Sequence, residues 1–199
     1  MRPEVIRVDD PDEVVDVLCD AFRDYPVMRF VLGSSRSAYD TDLRTLVGLF
    51  VMSRALRGEH LFGVMGDSRL EAAAIVSRPG APMPPALAAL REDVWAKLGA
   101  DARSRYEAFV AACAPFEPSK PHMHLNMIGV RKSVRRTGRA RLLLDHVHAF
   151  SRADAASEGV SLTTEHPDNV LLYEHVGYVV VGHSVVSNEL ETWSLYRPD

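Results

Sequence analysis

The residues best suited to chemistry lie in the last third of the chain. In Ile128-Gly129-Val130-Arg131-Lys132-Ser133-Val134-Arg135-Arg136-Thr137-Gly138-Arg139-Ala140, an alternating apolar run passes into a basic loop, and the loop into helix-forming sequence. A helix start exposes unpaired backbone N–H groups and the positive end of the helix dipole, so such a loop suits phosphate. Gly138 removes the side chain where a pyrophosphate must approach the backbone, and Ala140 keeps the next approach small. Arg131, Lys132, Arg135, Arg136, Arg139 and Arg141 surround the loop with positive charge, as a ligand with several phosphates requires. Two other phosphate motifs do not fit. The Gly-Lys-Ser/Thr ending of a P-loop is replaced by Gly138-Arg139-Ala140, and the three spaced glycines of a dinucleotide fold are reduced to one.

Two further groups of residues flank this loop. Strand alternation over His122–Val130 places His122, His124, Asn126, Ile128 and Val130 on one face. His124 there is either a proton acceptor suited to neutral pH or a buried, hydrogen-bonded structural histidine. His122 lies nearer a proline-rich loop. The two could share an ion, but no third ligand is evident, so no metal is expected. Downstream, Asn169 and Tyr173 sit four apart at the start of a helix. Asn169 can act as a helix cap, and Tyr173 can be a core aromatic whose hydroxyl finds a local partner.

These residues need elements to position them. Val5–Val8 reads as a strand, and Asp10-Pro11 with Glu13 as a capping box opening a helix to about Phe22. Tyr25-Pro26 ends that helix. A second helix is expected over Tyr39–Arg57, then strands at His60–Met65 and Glu71–Ser77 around a hairpin turn. Helices follow at about Pro85–Lys97 and Ala102–Ala112, and three prolines make Cys113–Pro121 a loop. Beyond it come a strand to Val130, a helix over Gly138–Ser157 with Leu142, Leu143, Val147 and Phe150 as its apolar stripe, a strand at Val160–Thr164, a helix from Pro167 to His175, and strands at Tyr178–His183 and Glu191–Tyr196. Strand, loop, helix and strand in this order imply a parallel pair. The class is α/β with a mixed sheet.

Arg135-x-x-Gly138-x-Ala140 after a strand ending in Val130 resembles the Gln/Arg-x-x-Gly-x-Gly/Ala signature of the GNAT superfamily of acyl-CoA-dependent N-acyltransferases. Asn169-Val-Leu-Leu-Tyr173 followed by Gly177-Tyr178 has the spacing that follows in that family. The resemblance covers Pro121–Pro198 by motif, and the N-terminal half only by its order of elements. It implies a central, mostly antiparallel sheet splayed at a parallel strand pair and flanked by helices. It also implies a single domain over 1–199, with 1–120 as the acceptor-side half and 121–199 as the acetyl-CoA-binding half. Acetyl-CoA would be the co-substrate, and the acceptor a primary amine of a small molecule or peptide. Backbone groups of Ile128, Gly129 and Val130 would pair with the pantetheine arm, and N–H groups from Arg136 through Thr137, Gly138, Arg139 and Ala140 to Arg141 would hold the pyrophosphate beside Arg135. Asn169 would contact the arm, Tyr173 would protonate the thiolate, and His124 would be the base. Asp24 and Tyr25, with His122 and Asn126, would line the acceptor site. Residues 79–121 would form its lid or wall. A coenzyme A-binding regulator without turnover is the alternative.

Composition narrows the setting. With 199 residues, 47% hydrophobic and 25% charged, the chain has the make-up of an ordinary globular protein. A net charge of −4 argues against binding nucleic acid or an anionic membrane through bulk charge. Two cysteines, Cys19 and Cys113, form no disulfide framework and suit a reducing compartment. No stretch is apolar enough for a signal or a membrane span, so a cytoplasmic protein is expected. GNAT proteins are often dimers, which leaves a homodimer open, and the sequence offers no readable interface.

Overall fold

The computed structural model describes residues 3–33 and 37–199. The Asp10 carboxylate accepts from the Asp12 N–H at 2.9 Å and caps α1 (Pro11–Phe22). The bond goes to Asp12, not to the Glu13 N–H that a capping box uses. Tyr25-Pro26 ends α1, but the chain does not stay irregular. Pro26 opens a second helix, α2 (Pro26–Leu32), which sequence reading missed. The same proline that excludes Tyr25 from a helix is favoured at the first position of the next one. Then come α3 (Tyr39–Ala55), α4 (Pro85–Leu98), α5 (Ala100–Cys113), α6 (Arg139–Ala153) and α7 (Pro167–His175). None of the helices described is long and apolar enough to cross a membrane.

The strands β1 (Val5–Arg7), β2 (Leu61–Met65), β3 (Leu70–Ser77), β4 (Met123–Val130), β5 (Gly159–Thr164), β6 (Val179–Ser187) and β7 (Leu190–Pro198) form one sheet in the order β1-β2-β3-β4-β5-β7-β6. Neighbours are antiparallel except β4 and β5, the expected parallel pair. That pair is in ladder register only at Met123–Val160 and His124–Ser161. Beyond His124, β4 stays paired with β3 as far as Val130 but leaves β5. The sheet is therefore splayed along the rest of β4.

Each face carries its own core. Leu18 of α1, Leu43 of α3, Ile75 and Met127 pack on one side. Leu143, Leu144 and Val147 of α6 pack with Val76, Leu125 and Tyr178 on the other. The buried stripe of α6 runs through Leu143, Leu144, Val147 and His148, with Leu142 and Phe150 only half-buried. It is rotated from the expected stripe. His148 tolerates burial because its Nε2 meets the Tyr178 hydroxyl at 2.9 Å.

A bulge corrects one expectation about β4. Ile75 pairs with Met127 and Val76 with Leu125, which leaves Asn126 as the extra residue. An extra residue inverts the alternation beyond it. Met123 and Leu125 face the α6 core, so His124 faces α1 and α3; past Asn126, Met127 faces α1 and α3, and Ile128 and Val130 face α6. His124 does not share a face with Ile128 and Val130. Gly129 faces α1 closely: a Cβ there would lie 2.7 Å from the Ala21 Cβ.

Candidate active site

The loop between β4 and α6 is built as a cradle. Gly138 is left-handed at φ +83° and caps α6, and Arg136 is left-handed at φ +62°. A Cβ on Gly138 would meet nothing within 4 Å, so the approach to the first turn is open. The N–H groups of Arg139, Ala140 and Arg141 begin the helix and have no intrahelical acceptors. The cations are less free than their density suggests. Arg131 donates to the Leu70 carbonyl at 2.8 Å, Lys132 pairs with Asp24 at 2.7 Å, Arg139 binds Glu71, and Arg141 pairs with Asp145 at 2.8 Å. Arg135 reaches the Ala21 carbonyl at 3.1 Å, whereas Arg136 and Thr137 are exposed. Most of this charge fixes the loop to the sheet and to α1.

Asp24 belongs to that clamp and not to an acceptor pocket. It is exposed, and hydrogen bonds from Lys132 and then Arg29 hold its carboxyl down at about 2. His122 is likewise elsewhere, with Nδ1 2.7 Å from the Lys120 carbonyl and Nε2 3.2 Å from Glu117. Neither lines the cavity described next.

Below the splay, on the α1 and α3 face, lies a cavity of about 600 Å³. Its walls are apolar: Phe22 and Met28 from α1 and α2, Phe50 from α3, Phe109 and Val110 from α5, and Phe116. Residues of the 106–118 stretch thus form one wall of this cavity. Arg105 hooks α5 to the end of α2 through the Val31 carbonyl at 2.7 Å, and Ser184 holds the Ala112 carbonyl at 2.9 Å. The Phe116 ring occupies the space a Cβ on Gly182 would need.

The floor is polar. Strand alternation in β5 brings Ser161, Thr163 and Glu165 into the cavity beside His124, Asn126 and Ser194. His124 Nδ1 lies 2.7 Å from Ser161 Oγ, and burial pushes its pKa down to about 4. The imidazole is therefore neutral at physiological pH and a weak base, unlike the neutral-pH base expected from sequence. Asn126 Oδ1 is buried with no hydrogen-bond partner among the described residues. Tyr25 lines the cavity, with its hydroxyl 2.9 Å from Thr164 Oγ1 and accepting the Glu165 N–H at 3.3 Å. Asn169 Nδ2 donates to the same Thr164 oxygen at 3.2 Å. Tyr173 is 8% exposed, lines the cavity, and is held protonated by burial, which raises its pKa well above the usual phenol value. Cys113 is raised to about 11 by burial, so it is no nucleophile.

Sequence reasoning missed Glu165. It is 7% exposed, and its Oε1 accepts from Thr192 at 2.9 Å. Burial raises its pKa to about 7 against that hydrogen bond. Alternation from Ser161 would have placed it on this face. Its burial depends on α5 and β7, which no local pattern reveals.

Residues 110–194 match the family model described as Acetyltransferase (GNAT) domain. No curated protein sequence matches the chain. Among solved structures, the fold is similar to that of a histone acetyltransferase HPA2 and related acetyltransferase from Corynebacterium glutamicum, with 22% identity, a TM-score of 0.69 and coverage of 100% of this chain and 98% of that one. It is similar to the polyamine N-acetyltransferase of Drosophila melanogaster at 14% identity and TM-score 0.67, covering 98% of each chain. It is also similar to Naa20 of Chaetomium thermophilum with a bisubstrate analogue, at 15% identity and TM-score 0.54, covering 98% of this chain and 85% of that one. Residues 110–194 thus match the GNAT acetyltransferase domain, and the chain as a whole has the fold of these acetyltransferases.

Proposed function

We propose that the chain transfers an acetyl group from acetyl-coenzyme A to a primary amine, with both substrates held in one complex. The observation that carries this reading is the divergence of β4 from β5 directly over the cavity. It frees one edge of β4 between Leu125 and Val130 to hydrogen-bond an extended arm like an added strand. The chain then leads from Val130 into the open cradle at Gly138, which suits the arm's pyrophosphate. The unpartnered Asn126 Oδ1 offers a further acceptor for an amide N–H. The co-substrate supplies an acyl carbon already activated as a thioester.

The chain's residues supply the rest. Tyr173, kept protonated by burial, donates to the departing sulfur. Backbone N–H groups at the splayed end of β4 stabilise the carbonyl oxygen as charge develops. Asn169 and Tyr25 fix the end of β5 through Thr164. Holding both reactants together lowers the barrier by several kcal/mol, roughly 7–11 at best. The Drosophila relative forms N-acetylagmatine, and the Naa20 structure holds a bisubstrate analogue. Both support an amine acceptor and an acyl donor meeting in this fold.

Calorimetric titration with acetyl-coenzyme A, comparing the wild type with Gly138→Glu, tests the proposal. The wild type is expected to bind in the micromolar range, and the variant not at all, because glutamate blocks the cradle by bulk and charge. Thiol release on adding an amine then shows turnover. A folded wild type that does not bind sinks the proposal, and binding without release to any amine leaves a regulator instead of an enzyme.

A further inference from the structure

One charge in the cavity lacks a partner. Arg54 pairs with Glu59 at 3.2 Å, Glu117 pairs with His122 at 3.2 Å, and His124 stays neutral against Ser161. Glu165 is buried on a hydroxyl from Thr192, and among the described residues no cation pairs with it. The titratable groups that face it are Tyr25, Tyr173 and Cys113, all neutral. A buried carboxylate is costly unless it is neutralised or met by a cation. The ionised form of Glu165 is therefore relieved by a proton or by a cation that arrives from outside.

We infer that Glu165 receives the acceptor's ammonium group and takes its proton, and that the acceptor carries one positive charge on an apolar, ring-sized body. The inference deepens the transferase reading and rests on it for the proton step. The side walls at Phe22, Phe50, Phe109 and Phe116 offer a second cation no counter-charge, the other lining carboxylate, Glu117, is already paired with His122, and Arg54 adds a positive charge to the wall. The cavity's about 600 Å³ lies within the range, roughly 300–1,000 Å³, that holds small organic ligands.

The protons balance. The ammonium gives one proton to the Glu165 carboxylate and becomes a free amine. Its lone pair forms the C–N bond with the thioester carbon. The C–S bond breaks, and the sulfur takes the Tyr173 proton. The surplus proton on the new amide nitrogen restores Tyr173, and Glu165 releases its own to solvent. Burial assists the first step twice, since desolvation raises a carboxyl pKa and lowers an ammonium pKa, bringing the two together.

Calorimetry with 2-phenylethylamine and with agmatine, without coenzyme A, is the first arm of the test. The wild type is expected to bind 2-phenylethylamine at least about tenfold tighter than agmatine, the difference between one buried charge and two. Glu165→Gln keeps the shape and an acceptor for Thr192, so it should fold and bind acetyl-coenzyme A like the wild type. It should lose amine binding. In the second arm, its kcat/KM should fall roughly 10²–10⁴-fold, without the rise through pH about 7 that the wild type shows. Unchanged amine affinity and pH profile in Glu165→Gln, or a preference for agmatine, overturns the inference. A wild type that binds the amine through Glu165 but not acetyl-coenzyme A overturns the transferase reading and leaves the amine site standing.

Discussion

The loop before α6 and the cavity beneath the splay handle charge in opposite ways. The loop gathers six cations and ties five of them to protein acceptors, so its charges are many and largely matched. The cavity holds few ionisable groups, yet burial moves Glu165 up to about 7 and His124 down to about 4. Density of charge marks where an anion can dock, and desolvation marks where a proton can move. The loop suits holding a large anionic co-substrate. The cavity suits chemistry on a small neutralised one.

The sharpest way to break this contrast is to remove a proton donor from the cavity without touching the loop. Tyr173→Phe should lower kcat by roughly 10²-fold or more, with acetyl-coenzyme A affinity measured by calorimetry unchanged. An equal loss of affinity would show that Tyr173 serves binding and that the division between the two regions is false.

Burial of Glu165 also has a stability signature that the loop cannot imitate. In the folded chain its carboxyl keeps its proton up to about pH 7, against 4.5 for an unperturbed glutamate. The folded state then holds the proton more tightly than the unfolded one. The associated stability is full below 4.5, falls from 4.5 to about 7, and stays lost above. Glu165→Gln should therefore raise the melting temperature at pH 8 by the equivalent of about 3 kcal/mol and leave it unchanged at pH 4. A melting temperature unaffected at pH 8 would mean that Glu165 is better solvated than its enclosure implies.

The two regions also differ in how legible they were. The loop is local: a strand, a glycine that must be left-handed and a helix start lie within about a dozen consecutive residues, so pattern and spacing reveal them. Asn169 and Tyr173 were legible for the same reason, as one helix turn. The cavity is assembled from α1, α2, α3, α5, β4, β5, β7 and α7, and no window of sequence contains it. His124 shows the limit within a single strand. Alternation placed it with Ile128 and Val130, but the extra residue at Asn126 reversed the parity, and only pairing with β3 reveals that residue. Helix α2 escaped because one proline both stops and starts a helix.

Asp24 gives the smallest and most specific test. Sequence placed it in the acceptor site; the structure puts it in the open, tied to Lys132 and Arg29. Its depressed carboxyl favours the fold above about 3.8, and that contribution fades as pH falls towards about 2. Because the pair is exposed, Asp24→Asn should cost at most about 0.5 kcal/mol at neutral pH and less in high salt. Releasing Lys132 should also strengthen acetyl-coenzyme A binding slightly at low salt, with amine affinity unaltered. Had Asp24 been the acceptor's counter-ion, its loss would weaken the amine far more than it touches the fold. Parallel titrations of the variant with acetyl-coenzyme A and with 2-phenylethylamine therefore decide which of the two regions Asp24 serves.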